Sequence, residues 1–165
     1  LSFGGTTPPG DSDVTNEYNG TSWTAGGAMT NGRFYLAGAG IQTAALAIAG
    51  SGPSNKTEEY NGSSWTNGGN LNTGRRHLAA AGITTAALAF GGDTPPSGSP
   101  GSTPTEQYNG STWTNTTSMS TKRYSFGGAG TTTAGLAFGG QGPPNTAATE
   151  EFTGAAPTTV TLSGS

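Results

Sequence analysis

One interval repeats unchanged along this chain: 32 residues separate Tyr18 from Gly50, Tyr60 from Gly92, and Tyr108 from Gly140. From the second glycine of each pair to the next aromatic, the distance varies instead. It is 13 residues from Gly5 to Tyr18, 10 from Gly50 to Tyr60, 16 from Gly92 to Tyr108 and 12 from Gly140 to Phe152. Insertions and deletions are therefore confined to one connection per repeat, as expected of a packed unit with one free loop. Composition alone would permit disorder, because only 30% of the 165 residues are hydrophobic and 9% are charged. The fixed register of the few large apolar residues argues for a folded chain. With 30 Gly and 29 Thr, both poor helix formers, the fold expected is all-β.

Several landmarks travel with the interval. Glu17-Tyr18-Asn19-Gly20-Thr21-Ser22-Trp23-Thr24 returns as Glu59 to Thr66 and as Gln107 to Thr114, then degenerates to Glu151-Phe152-Thr153-Gly154. Arg33, Arg75 and Arg123 each follow a Trp by ten residues. Four short strands per repeat are expected. Strand a covers residues 33–40 and ends in a tight turn. Strand b covers 44–50, where Leu46 and Ile48 alternate with alanines, and Leu88 with Phe90 and Leu136 with Phe138 hold the same places. Strand c covers 57–60 and leads through an Asn-Gly turn, a strong hairpin signal, into strand d near Trp65. The expected unit is a four-stranded antiparallel sheet every 42 to 48 residues, with repeats at 1–31 (partial), 32–73, 74–121 and 122–165 in a single domain. A further strand is expected at 158–163. Strands with small residues on one face suit sheets packed face to face, and radially arranged blades have this property.

The double glycine after strand b, the aromatic on strand c and the Trp on strand d resemble the kelch repeats of β-propellers. The chain departs from the usual kelch pattern in its Asn-Gly turns and its excess of Ala, Gly and Thr. Gly-Leu-Ala-Phe-Gly-Gly (135–140) and Glu-Glu-Tyr-Asn-Gly-Ser-Ser-Trp (58–65) also resemble long repeat proteins of marine bacteriophages, particularly cyanophages. The resemblance implies a β-propeller of about four blades, or a segment of a larger one, with a virion structural or tail-fibre-like role. The galactose oxidase family shares kelch-type blades but needs a Cys-Tyr cofactor and histidine copper ligands. A chain with no Cys and one His lacks that set.

Other chemistry is thinly represented. His77 beside Arg75 and Arg76 suggests a phosphate or base site, but its register equivalents are Tyr35 and Ser125. Glu58-Glu59 and Glu150-Glu151 look like paired carboxylates, yet adjacent strand residues point to opposite faces. One Glu per repeat is expected to pair bidentately with Arg33, Arg75 or Arg123. Trp23, Trp65 and Trp113, with Tyr18, Tyr60 and Tyr108, are expected to pack between sheets rather than to serve as sugar platforms. Asp11, Asp13 and Asp93 form a weak calcium signal. Asn19, Asn55, Asn61, Asn109 and Asn115 each begin an Asn-x-Ser/Thr sequence, three of them within the repeated turn.

A net charge of −3 with six Lys and Arg argues against nucleic-acid binding and against attraction to membrane surfaces. No stretch is apolar and long enough to read as a spanning helix, so membrane insertion is not expected. The chain opens at Leu1, with no charged and then apolar leader, and is expected to be a processed form, a fragment or part of something longer.

The variable connections are the main functional clue. Residues 6–15, 51–56, 93–105 and 141–149 are rich in Pro and Gly and should emerge on one side of the sheets. Asp11, Asp13, Lys56, Asp93, Thr94 and Gln141 are the candidate recognition residues they carry. The expectation is a non-enzymatic, extracellular or virion-surface protein with no cofactor. Its expected partners are other copies of itself, other virion or filament proteins, or a host-surface glycan. A bacterial filament or adhesion protein and a carbohydrate-binding module are the alternatives.

Overall fold

The structure is a computed structural model of the chain. It describes all residues except 53, 95–100, 143, 144, 146, 155, 156 and 161–165, with backbone only at 157–160. The described residues form β-strands and no helix. Sheet 1 has three strands: β1 (Ser2–Phe3), β4 (Thr15–Tyr18) and β5 (Trp23–Ala25). A small hairpin, β2 (Thr6–Thr7) with β3 (Gly10–Asp11), rises from the connection between β1 and β4. Sheet 2 has β6 (Ala37–Ile41), β7 (Ala44–Ile48), β8 (Thr57–Tyr60) and β9 (Trp65–Asn67). Sheet 3 has β10 (Ala79–Ile83), β11 (Ala86–Phe90), β12 (Thr105–Tyr108) and β13 (Trp113–Thr116). Sheet 4 has β14 (Gly127–Gly130), β15 (Gly135–Phe138), β16 (Thr149–Phe152) and β17 (Pro157–Val160). All pairings are antiparallel, in chain order within each sheet.

Three local details differ from the sequence reading. Strand a begins at Ala37, Ala79 or Gly127 rather than four residues or so earlier. The preceding segment is turned by a positive φ at Tyr35 (57°), His77 (54°) and Ser125 (52°), which no glycine signals. The c–d connection is a four-residue loop, since Tyr60 pairs with Trp65 and Tyr108 with Trp113. In it the Asn61 side-chain oxygen accepts from the backbone N–H groups of Ser63 and Ser64, and Gly62 supplies φ of 91°. The last strand is Pro157–Val160, and the remainder of the expected strand, 161–163, lies outside the described residues.

The apolar cores lie between consecutive sheets. Strand b sends its large residues one way and its alanines the other: Ala45 and Ala47 pack towards sheet 1, Leu46 and Ile48 towards sheet 3. The first two joints thus combine large strand-b residues of one sheet with alanines, a Tyr and a Trp of the next, and the third has Phe152 at the Tyr place. Size is matched across the joint. A Cβ on Gly38 would stand 2.8 Å from the Phe3 ring, and one on Gly128 2.8 Å from the Phe90 ring. Ile48, smaller than Phe, shares its cluster with Ala80 at the same register. Such complementarity follows from the close packing of protein interiors.

The backbone also crosses between sheets. His77 N–H donates to the Tyr35 carbonyl and Ser125 N–H to the His77 carbonyl, both at 2.9 Å. The three left-handed residues therefore form a hydrogen-bonded ladder along the stack. The hydrogen bonds offset a backbone cost on the order of 1–3 kcal/mol at each.

Candidate recognition face

The segments entering strand a and the connections leaving strand b lie on one side of the stack, opposite the a–b and c–d turns. Three buried ion pairs tie them together. Arg33 Nη2 bonds Glu58 Oε1 at 2.9 Å, Arg75 Nη2 bonds Glu106 Oε1 at 2.5 Å, and Arg123 Nη2 bonds Glu150 Oε1 at 2.7 Å. The pairs are not bidentate as expected. The second guanidinium nitrogen serves backbone carbonyls instead, those of Lys56, Pro104 and Ala148. The second carboxylate oxygen accepts the backbone N–H of Thr30, Asn72 or Ser120. Each pair thereby fixes the end of a b–c connection and the start of the segment leading to strand a. Burial pulls the Arg33 and Arg75 guanidinium groups below their ordinary value, and the partner carboxylate opposes this. Burial pushes Glu150 up, but hydrogen bonds from Ser120 and the Arg123 guanidinium outweigh it and hold the carboxyl below 4.5. Sheet 1 has Asn16 where the other sheets have the buried Glu.

On this frame, two candidate recognition residues meet. Asp11, at the end of the β2–β3 hairpin, and Lys56, just before β8, line one cleft of about 400 Å³ with Asn31, Ser51, Ser54 and Asn55. Ser51 Oγ donates to Asp11 Oδ2 at 2.6 Å, and Lys56 Nζ donates to Asn31 Oδ1 at 2.8 Å. The cleft joins loops of two neighbouring sheets and presents hydroxyl, amide, ammonium and carboxylate groups. Asn31, Ser51 and Ser54 were not singled out in the sequence. Ser51 follows Ala49-Gly50 at the register where Asp93 and Gln141 follow a double glycine, and that recurrence is the signal that points to it.

The remaining candidates are dispersed. Asp13 is exposed, and its carbonyl accepts the Met29 N–H at 2.8 Å. Asp93 contacts His77 Nδ1 through Oδ2 at 3.0 Å and accepts the Gly101 N–H through Oδ1 at 3.3 Å. The His77 ring stacks on Tyr35 with centroids 3.8 Å apart. Thr94 is half-buried, and Gln141 exchanges backbone hydrogen bonds with Tyr124 at 2.9 Å. Residues 95–100 of the loop 93–105 lie outside the described residues. Among the described residues, no three His, Cys, Asp or Glu side chains are grouped to hold a metal.

The repeated aromatics split into two environments. Tyr60 (2% exposed), Trp65 (5%), Tyr108 and Trp113 are buried between sheets. Trp65 Nε1–H donates to Thr15 Oγ1 at 2.9 Å, and Trp113 Nε1–H to Thr57 Oγ1 at 3.0 Å. The Tyr60 hydroxyl donates to Glu17, and that of Tyr108 donates to Glu59 at 2.5 Å. Tyr18 and Trp23, in the first sheet, are 42% and 55% exposed. They are not buried between sheets as expected, since no described sheet covers that face of sheet 1. No protein-family model matches the chain, and no significant match is found among curated proteins.

Proposed function

We propose that the chain is a kelch-like β-propeller, or a segment of a larger one, acting as a non-enzymatic surface protein of a bacteriophage virion of tail-fibre type. Its b–c loops recognise a host surface or another protein. One observation carries the reading: the Asp11–Lys56 cleft is built from loops of two different sheets, on the side of the stack where the variable connections gather. A stiff frame holding variable loops is the arrangement of recognition surfaces. The propeller assignment is supported by sheets stacked in chain order with strands a adjoining across the joints. The donors and acceptors of the cleft suit a polyhydroxylated ligand, which favours a surface glycan over an apolar peptide.

Two measurements test this. Antibody labelling of purified particles by electron microscopy should decorate the particle exterior, and particles free of label would refute the virion role. Binding on a glycan array should be lost when Asp11→Ala and Lys56→Ala are combined. Binding retained in that variant would remove the cleft from the proposal.

A further inference from the structure

The Asp11–Lys56 cleft holds two opposite charges that do not meet. Among the described residues, neither Asp11 nor Lys56 belongs to an ion pair, although both line the same cleft of about 400 Å³. Each is held by a neutral side chain instead. Asp11 Oδ2 accepts the Ser51 hydroxyl at 2.6 Å, which leaves Oδ1 without a donor among the described residues. Lys56 Nζ gives one of its three N–H groups to Asn31 Oδ1 at 2.8 Å and keeps the other two.

The cation is an addition to the repeat. At the place of Lys56, four residues before the strand-c aromatic, the other connections carry Val14, Pro104 and Ala148. At the place of Asn31, two residues before the buried Arg, the others carry Thr73 and Thr121. Ammonium and amide occur together in this one joint, and the frame does not require them. Arg75 and Arg123 close the same network over the carbonyls of Pro104 and Ala148. Both charges nevertheless stand on fixed backbone. The Lys56 carbonyl accepts from Arg33 Nη1 at 3.1 Å and from the Ala49 N–H at 2.8 Å, and its own N–H donates to Ser54 Oγ at 3.1 Å. Asp11 sits where the β2–β3 hairpin meets the segment entering strand a: a Cβ on Gly32 would stand 2.7 Å from the Asp11 carbonyl oxygen, and the adjacent Ser12 carbonyl accepts the Arg33 N–H at 3.1 Å. Groups placed in advance bind with less ordering cost.

We propose that the cleft takes a hexuronic acid residue of an acidic polysaccharide, its carboxylate on Lys56 and its ring hydroxyls on Asp11. The class of sugar rests on the cleft being the recognition site. A hexuronate carries a carboxylate at one edge of its ring and vicinal hydroxyls at the opposite edge, so it answers two separated charges where a neutral hexose answers one. The Ser51 hydroxyl already makes the contact that a sugar hydroxyl repeats at Asp11 Oδ1. A carboxylate on Lys56 adds a charge-assisted bond beside the neutral amide. A simple anion fits less well, because Asp11 repels it and gains no donor from it. The volume lies within the range of about 300–1,000 Å³ for small-ligand sites and suits one or two sugar residues.

The test is an array on which gluco-, galacto- and manno-configured uronic acid oligosaccharides are each printed beside their carboxyl-reduced, neutral counterparts. The intact chain should bind at least one uronate roughly 10-fold or more strongly than its counterpart, the scale of one hydrogen bond to a charged group. Lys56→Gln should bring that uronate down to the level of the neutral sugar, and Lys56→Arg should keep the preference. Lys122→Gln, which removes an exposed cation outside the cleft, should keep it too. Asp11→Asn should weaken both members of the pair by a similar factor, because they share the hydroxyls that it accepts. The preference should shrink as salt is raised, since Lys56 is exposed. Neutral counterparts bound as strongly as uronates, a preference that survives Lys56→Gln, or one lost equally in Lys122→Gln would overturn the acidic class and leave glycan recognition standing. Binding to neither member of any pair would overturn glycan recognition itself.

Discussion

The joint between sheets 2 and 3 and the joint between sheets 3 and 4 are built from the same repeat, yet only in the first do a strand-c Tyr and a strand-d Trp hydrogen-bond across the joint. Trp113 and Tyr108 are buried there, each with its hydrogen bond, and Gly69 lets the c–d loop of sheet 3 approach closely. A Cβ on Gly69 would lie 2.1 Å from the Ser111 carbonyl oxygen. Between sheets 3 and 4, Thr116 and Thr117 hold the register of that glycine pair, Phe152 is half-buried, and an apolar crevice lined by Leu88, Phe90, Met119 and Phe152 remains. Five substitutions have moved together: Gln107, Thr116, Thr117, Phe152 and Pro157. A repeat can relax its seal without losing its place in the stack when both donors and the space for the turn are given up at once, even though Thr105 keeps the register of the acceptors Thr15 and Thr57.

Removing the anchor of each joint tests this contrast most strongly. Trp113→Ala should cost about 3–5 kcal/mol in urea unfolding, the scale for a buried Trp, whereas Phe152→Ala should cost about 1–2 kcal/mol. Equal losses would erase the distinction. Tyr108→Phe should cost about 1.5–3 kcal/mol, because the Glu59 carboxylate loses its phenolic donor. Alkaline titration probes the same bond. Burial, followed by the Glu59 hydrogen bond, raises the Tyr108 phenol to about 12 from 10.0. The folded state thus holds its proton more tightly than the unfolded state. The resulting stability is fully present below pH 10 and is lost as pH rises towards 12. Unfolding midpoints that do not move over this range in the wild type, or that move equally in Tyr108→Phe, would contradict the assignment.

Acid probes the other side of the comparison. The Glu150 carboxyl, in sheet 4, lies below its ordinary 4.5, so its contribution is present above that value and disappears as pH falls below it. Glu150→Gln should flatten the acid limb of stability measured by urea unfolding. The smallest effect is expected from rebuilding the weak joint: Gln107→Glu with Phe152→Tyr should change stability by about 1 kcal/mol or less. A gain near that of the intact Tyr108–Glu59 bond would mean that Thr116 and Thr117 do not obstruct the turn.

Recurrence makes much of this legible in the sequence. Leu46 and Ile48 declared strand b by alternation, and the ten-residue Trp-to-Arg spacing pointed to Arg–carboxylate pairs. The left-handed turn at Tyr35, His77 and Ser125 was not legible, because three unrelated residue types share one backbone shape that tertiary hydrogen bonds impose. The exposure of Tyr18 and Trp23 was hidden for the opposite reason. They match their buried equivalents in type, and they lie on a face of sheet 1 that no described sheet covers. The Asp11–Lys56 cleft depends on two loops 40 or so residues apart meeting across a joint, which neither loop encodes alone.

The buried Arg–Glu pairs have a consequence for the medium the protein tolerates. Three of its six cations and three of its nine anions are withdrawn into these pairs, leaving three positive and six negative side chains to meet solvent. Ions shielded by protein are screened far less than exposed ones, and apolar joints do not weaken as salt is added. Ionic strength therefore has little to act on, and the fold should keep nearly the same stability in fresh water and in brine.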